Sequence, residues 1–284
     1  MDMNNKLCVI TGANSGIGFE TAKELARQGA FIVMVCRNED KAELAKRQIL
    51  NETTGSGVDI VLCDFSSQDE IRKAAAEIKS NYKKIDVLIN NHGFVAGSYK
   101  ETVEGLEETF GVNHMGYFLF TNLLLDQVKA ADKARIINVA SEAHRSASKF
   151  DSKNLQLKNN YSTWKAYANS KLYNILFTVE LADRLKDTKV TANSLHPGVI
   201  ASNFGKSSTT FVKIFWKIAS PFMKSNKDGA QTTIYLATSD EVEEVNGAYF
   251  KDSKVVAPSN QAFDKEAAKQ LWEISEELCA ILVK

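Results

Sequence analysis

Residues Leu7–Gly18 read LCVITGANSGIG, a short apolar run that breaks into a turn with glycines at 12, 16 and 18 and then opens a helical period. Five apolar or β-branched residues bounded by glycine read as a strand buried on both faces, and the segment Ile17–Gln28 that follows has helical spacing. The alternation then repeats along the chain. Strand-like runs stand at Leu7–Thr11, Phe31–Cys36, Val58–Cys63, Ile85–Asn90, Arg135–Ala140 and Val190–Leu195, with a last one at Gly247–Phe250. Helical segments lie between them at Asp40–Glu52, Gln68–Lys79, Leu106–Lys129 and Tyr167–Lys186, and a closing helix is expected from about Asp264 to Leu282. Strands that alternate with helices make a parallel sheet, and uniformly apolar strands need both sheet faces covered. The expectation is an α/β chain, a single-domain doubly wound Rossmann fold over residues 1–284 with a parallel sheet of about seven strands. The three prolines all fall in the last third, and no internal repeat or Pro/Gly-rich linker marks a boundary.

Composition narrows the function. Lys+Arg and Asp+Glu are equal at 35 each, so no basic excess points to nucleic acid. The opening MDMNNKLCVI carries no signal-peptide pattern, and no apolar stretch reaches the ~18 residues a membrane span needs. Cys8, Cys36, Cys63 and Cys279 are far apart, which suits buried thiols better than disulfides or a metal site. His92, His114, His144 and His196 form no ligand spacing with them, so no metal is expected. Cytoplasm is the expected compartment.

The glycine turn has a chemical reading as well as a structural one. A strand-to-helix turn without side chains lets backbone approach a pyrophosphate, and a helix N-terminus offers free N–H groups and a positive dipole end. Gly12, Asn14, Ser15, Gly16, Ile17 and Gly18 are therefore candidate nucleotide ligands, against the plainer reading of a tight turn. A carboxylate about 20 residues beyond the glycines would select NAD through the ribose 2′-OH. Here Val35-Cys36-Arg37-Asn38 holds no acid at the strand end, and the Arg37 guanidinium suits a 2′-phosphate. NADP(H) is expected in preference to NAD(H), although Arg37 could also be an ordinary loop cation.

Two Tyr-x-x-x-Lys pairs occur, Tyr161/Lys165 and Tyr167/Lys171. On a helix such a spacing puts ammonium and phenol on one face. A phenol with pKa near ~10 is a poor base until a cation favours the phenolate. Tyr161 follows Lys158-Asn159-Asn160 and belongs at a helix entrance. Tyr167 precedes the small Ala168, Asn169 and Ser170, which would let a flat nicotinamide lie close, and it is the candidate acid/base.

TGANSGIG, INNHG, VNHMG, NVAS, YANSK and HPGVI occur in the order seen in short-chain dehydrogenases/reductases. The chain resembles that family from residue 11 to 200. VCRN, NVASEAH and YANSKLYNILFTVELADRL followed by SLHPGVI resemble its retinol dehydrogenase and WW-domain-oxidoreductase branch most. The resemblance implies that Tyr167 exchanges a proton with the carbonyl oxygen and that Ser141 hydrogen-bonds the same oxygen. Lys171 would bind the nicotinamide ribose and depress the tyrosine pKa, and Asn113 would hold a water relaying protons to Lys171. It further implies cofactor contacts at Asp64 and Phe65 by the adenine, at Asn91 and Gly93 along the channel, and at Pro197 and Ile200 near the carboxamide. Dimers or tetramers through the long helices equivalent to Leu106–Lys129 and Tyr167–Lys186 are common in the family, so a homo-oligomer is open here. The chain departs from the pattern at His92, where the family carries Ala in Asn-Asn-Ala-Gly. The imidazole either points away from the nucleotide or reshapes the floor of the site.

Residues 200–225 break the regular pattern and contain TFVKIFWKIASPFM. They are expected to form a substrate lid, with weak membrane-surface contact of residues 210–224 as the other reading. Residues 145–160 would flank the pocket. The combined expectation is an NADP(H)-dependent carbonyl reductase or alcohol dehydrogenase for a small lipophilic aldehyde, ketone or alcohol, retinoid-like by resemblance. The alternatives are a catalytically silent NADPH-binding regulatory or scaffold protein, and an epimerase or dehydratase built on the same cofactor site.

Overall fold

A computed structural model describes residues 1–53, 57–198 and 225–280 of the chain. Its strands are β1 (Leu7–Thr11), β2 (Phe31–Cys36), β3 (Val58–Leu62), β4 (Val87–Asn90), β5 (Ala134–Val139), β6 (Val190–His196), β7 (Tyr249–Lys251) and β8 (Lys254–Val255). They form one sheet in the order β3-β2-β1-β4-β5-β6-β7-β8. Strands β1 to β7 pair in parallel, which matches the expected seven, and the two-residue β8 turns back antiparallel on β7. Both faces are covered because successive side chains of each strand point opposite ways. Val9, Val33 and Val35 enter one core, while Cys8, Ile10, Ile32 and Met34 enter the other.

Helices α1 (Gly16–Arg27) and α2 (Glu39–Glu52) pack on the second of these cores, with α7 (Asn226–Thr238). The first core takes α3 (Gln68–Asn81), α5 (Gly116–Lys129), α6 (Thr163–Arg184) and the closing helix α8 (Lys265–Cys279). Trp272 of α8 is buried edge-on to Phe118 at 4.9 Å and near-parallel to Phe177 at 5.7 Å, with the Arg184 guanidinium 4.2 Å over its ring. Helix α8 thus packs along α6 and reaches α5 through Trp272.

The helix expected over Leu106–Lys129 begins differently. It starts as a short turn, α4 (Glu108–Phe110), widens into a π-turn at Gly111–Met115, and only then runs on as α5. The buried Glu107 carboxylate caps α4, accepting from the N–H groups of Thr109 and Phe110 at 3.0 and 2.8 Å. A π-turn holds one residue more than the α-helical register, a geometry that recurs at functional sites. Asn113 sits at its centre. Among the described residues no helix is long and apolar enough to cross a membrane.

Candidate active site

Strand order reverses at β1, which lies between β2 and β4, and the crevice beyond the carboxyl ends of such strands is where open α/β sheets bind ligands. The glycine turn leaves β1 there and Asn91-His92-Gly93 leaves β4. Gly12 and Gly16 adopt φ of +66° and +60°, the left-handed region glycine tolerates best. A Cβ on Gly18 would fall 2.4 Å from the Gly12 carbonyl oxygen and 2.5 Å from Asn91 Nδ2, so α1 packs against the turn only because that side chain is absent. Asn91 fastens the two loops, its Nδ2 donating to the Thr11 carbonyl at 2.9 Å. Asn38 and Ser67 cap α2 and α3 with side-chain bonds, and acids occupy both first turns. Helix α1 has neither: Ser15 stands at its N-cap without a side-chain bond, and its first turn holds no acid. Its N–H groups and dipole are left for an anion.

Arg37 follows β2 and is exposed, and its guanidinium lies 3.7 Å from the Asp64 carboxylate at the end of β3. An exposed pair of this kind contributes at most about 1 kcal/mol, so the guanidinium can be drawn to a stronger anion. Asp64 also accepts from the N–H and hydroxyl of Ser66 at 3.0 and 2.8 Å. The residues present therefore fit a dinucleotide along this crevice. Pro197 is described and half-buried beyond β6, whereas Ile200 and the lid expected at 200–225 lie outside the described residues apart from Ser225.

At the other end of the crevice, α6 carries Tyr167 and Lys171 one turn apart. Ser141 follows β5 and caps a short turn, Glu142–Ser146, accepting from the Ala143 N–H at 3.2 Å, and its hydroxyl also bonds the Tyr167 phenol. The Lys171 ammonium donates to the Val139 carbonyl at 3.1 Å and lies 5.7 Å from the Tyr167 ring centre. Burial pushes the phenol up to about 12, with the Ser141 bond pulling the other way. Burial also pulls Lys171 down to about 7. Burial is thus the larger influence on the phenol, and the Ser141 hydroxyl is the group that opposes it. Tyr161 stands before α6, where its phenol bonds Glu107 at 3.4 Å and its ring meets Tyr99 edge-on at 5.4 Å. It shares no helix face with Lys165.

Asn113 is fully buried. Its Oδ1 accepts from the Phe94 N–H at 2.7 Å, and its Nδ2 donates to the Phe94 carbonyl at 2.8 Å and to Ser170 Oγ at 3.0 Å. Both amide protons are engaged, so the side chain clamps the 91–98 loop onto α6. Ser170 and Asn169 have protein partners too, since Asn169 Oδ1 accepts from the Ser148 N–H at 2.8 Å.

Sequence reasoning overlooked a buried polar ladder beneath Lys171. Asn90 Nδ2 donates to Thr121 Oγ1 and Asn138 Oδ1, each at 2.8 Å, and Asn138 Nδ2 to Thr178 Oγ1 at 2.9 Å. Asn174 Nδ2 reaches the Val139 carbonyl that also holds Lys171, at 3.4 Å. One signal was available: Asn90 and Asn138 close two adjacent strands and stand in register. His144 was also missed. Its Nδ1 donates to the Ser141 carbonyl at 2.6 Å and its Nε2 accepts from the Ser259 N–H at 3.0 Å, tying the serine to the C-terminal segment.

The short chain dehydrogenase family matches the chain over residues 6–212. Mouse retinol dehydrogenase 12 is 43% identical over 97% of this chain and 87% of its own length. The chain belongs to the short-chain dehydrogenase/reductase family. Within this family of oxidoreductases it is retinol dehydrogenase-like, for human retinol dehydrogenase 13 is 42% identical over 97% of the chain and 85% of its own length. A solved structure of an uncharacterised protein from Mycobacterium paratuberculosis aligns with a TM-score of 0.79 at 32% identity, covering 100% of this chain and 97% of that one. A Shigella flexneri short chain dehydrogenase solved with NADP shares the fold at a TM-score of 0.72 and 22% identity, covering 89% of this chain and 99% of that one.

Proposed function

We propose that this oxidoreductase is an NADP(H)-dependent carbonyl reductase or alcohol dehydrogenase for a lipophilic aldehyde, ketone or alcohol. The observation that carries the reading is the convergence of Ser141 and Lys171 on Tyr167, at one end of a crevice whose other end offers an uncapped helix and Arg37. Bound nicotinamide supplies the hydride in reduction and accepts it in oxidation. The protein's part is to hold and move the proton. Tyr167, protonated at neutral pH, donates to the carbonyl oxygen in reduction and takes the proton back in oxidation. The Ser141 hydroxyl, already on that phenol, steadies the charge developing on the same oxygen. Lys171 holds the nicotinamide ribose, and Asn113 keeps the loop from Phe94 closed against α6. Any water relay to Lys171 must use atoms other than the Asn113 amide protons.

Arg37 is the residue that selects the 2′-phosphate, with no acid at the end of β2 to oppose it. A lipophilic substrate suits the half-exposed Trp164 ring, 6.2 Å from the Tyr167 ring. Retinoids enter as candidates through the names of the relatives. The four buried free thiols suit a reducing compartment such as the cytoplasm. The test is oxidation of NADPH and NADH with a panel of lipophilic aldehydes, ketones and quinones, for wild type, Tyr167→Phe and Tyr161→Phe. Turnover that prefers NADPH and is lost only in Tyr167→Phe supports the reading. Tight NADPH binding without turnover would instead favour the regulatory alternative, and activity surviving in Tyr167→Phe would refute the acid/base assignment.

A further inference from the structure

His92, which departs from the family's alanine, has every polar position bonded. Its N–H donates to Thr11 Oγ1 at 3.1 Å and its carbonyl accepts from the Tyr117 phenol at 2.8 Å. Nε2 lies 2.8 Å from the Val112 carbonyl, which can only accept, so Nε2 carries the ring proton. Nδ1 is then the acceptor for the Thr11 hydroxyl at 3.0 Å, and Thr11 Oγ1 in turn accepts from the Asn91 N–H at 2.8 Å. The imidazole face stacks on Phe65, centroids 3.7 Å apart at 19°, and its side meets Tyr117 edge-on at 4.8 Å. Burial pulls the ring down to about 3, so it stays neutral and keeps this tautomer.

Each partner adjoins a piece of the site. Thr11 is the root of the glycine turn, Val112 precedes Asn113, and Phe65 follows Asp64. The Tyr117 ring lies 5.8 Å from the Lys171 ammonium. Gly116 leaves the room, since a Cβ there would fall 3.0 Å from His92 Nε2 and 3.1 Å from Phe65 Cδ1.

We propose that His92 is a positioning residue, a neutral clamp that sets the glycine turn, the Asn113 turn and Phe65 in one register for the dinucleotide. The inference rests on the cofactor reading above, and of the two readings of this position it takes the reshaped floor. An alanine would leave the Val112 carbonyl without its donor and open a gap between Phe65 and Tyr117.

The test measures NADPH affinity by fluorescence titration, kcat at saturating NADPH, and urea unfolding. His92→Ala is expected to weaken NADPH binding about tenfold, the size of roughly one lost hydrogen bond, and to lower kcat with it. His92→Gln, long enough to donate to Val112, recovers most of the loss, whereas the shorter His92→Asn does not. Gly116→Ala harms the wild type and adds a smaller loss to His92→Ala, where only the Phe65 contact remains. The proposal is overturned if His92→Ala binds NADPH within about twofold of wild type at unchanged kcat. It is equally overturned if the loss follows only the unfolded fraction in urea and glutamine does not restore it. Wild type that binds neither NADPH nor NADH would overturn the cofactor reading itself and this proposal with it.

Discussion

The pH dependence of the two reaction directions tests the state of Tyr167. With the phenol pushed up to about 12, roughly one site in 10⁵ holds phenolate at pH 7. The protonated form that reduction needs is therefore the resting form, and the base that oxidation needs is rare. At saturating NADPH, kcat/KM for the carbonyl should show no limb from Tyr167 between about pH 6 and 9. At saturating NADP⁺, kcat/KM for the alcohol should rise about tenfold per pH unit over the same range. The two slopes differ by the single proton that reduction consumes, as the overall equilibrium requires. Lys171, pulled down to about 7, would add a bounded step near neutrality that vanishes in Lys171→Met. Tyr167→Phe should lower both directions by about 10²–10⁴-fold and erase the slope. A reduction rate falling tenfold per unit from pH 7, with oxidation levelling there, would refute the reasoning. It would place the phenol near neutrality and make Lys171, rather than burial, the dominant influence on it.

Replacing Arg37 with Ala should weaken NADPH binding by about 10–100-fold, the scale of charge-assisted hydrogen bonds, and leave NADH almost unchanged in parallel titrations. In Gly18→Ala the new Cβ meets the Gly12 carbonyl oxygen at 2.4 Å, so urea denaturation should show a loss of about 1–3 kcal/mol together with weaker nucleotide binding. Lys171 makes the cofactor-free protein more stable as pH rises. Its folded pKa of about 7 lies below the ordinary 10.5, so between those values the unfolded chain carries a proton that the folded chain does not. Stability from urea denaturation at pH 7 and 9.5 should differ more in wild type than in Lys171→Met, with a ceiling of about 3 kcal/mol over that window. Trp272→Ala should cost about 3–5 kcal/mol, read from the same denaturation curves.

Much of this was legible in the sequence, for identifiable physical reasons. Strand and helix periods are local properties, so β1 and β2 fall where LCVIT and FIVMVC put them. The glycine turn was legible because its chemistry needs bare backbone, and Tyr167 because its lysine lies one helical turn away. The rest depends on contacts between distant segments. Nothing in GVNHM announces the π-turn or the grip of its Asn113 on Phe94. Lys171's low pKa comes from burial, which no spacing records. The ladder through Asn90 and Asn138 exists only because two strands far apart in sequence are neighbours in register. His92 stands out in the sequence as a departure, but its partners Val112 and Phe65 are brought to it by the fold.

The placement of α8 bears on assembly. Two copies of this chain that met through α5 and α6 would first have to dislodge Trp272 from between Phe118, Phe177 and Arg184. Part of the face that α5 and α6 would offer a second copy is thus already filled by α8. If no second copy uses that face, mass action has no hold on it and specific activity per chain should stay constant on dilution, where an enzyme held together through it would lose activity as its subunits part.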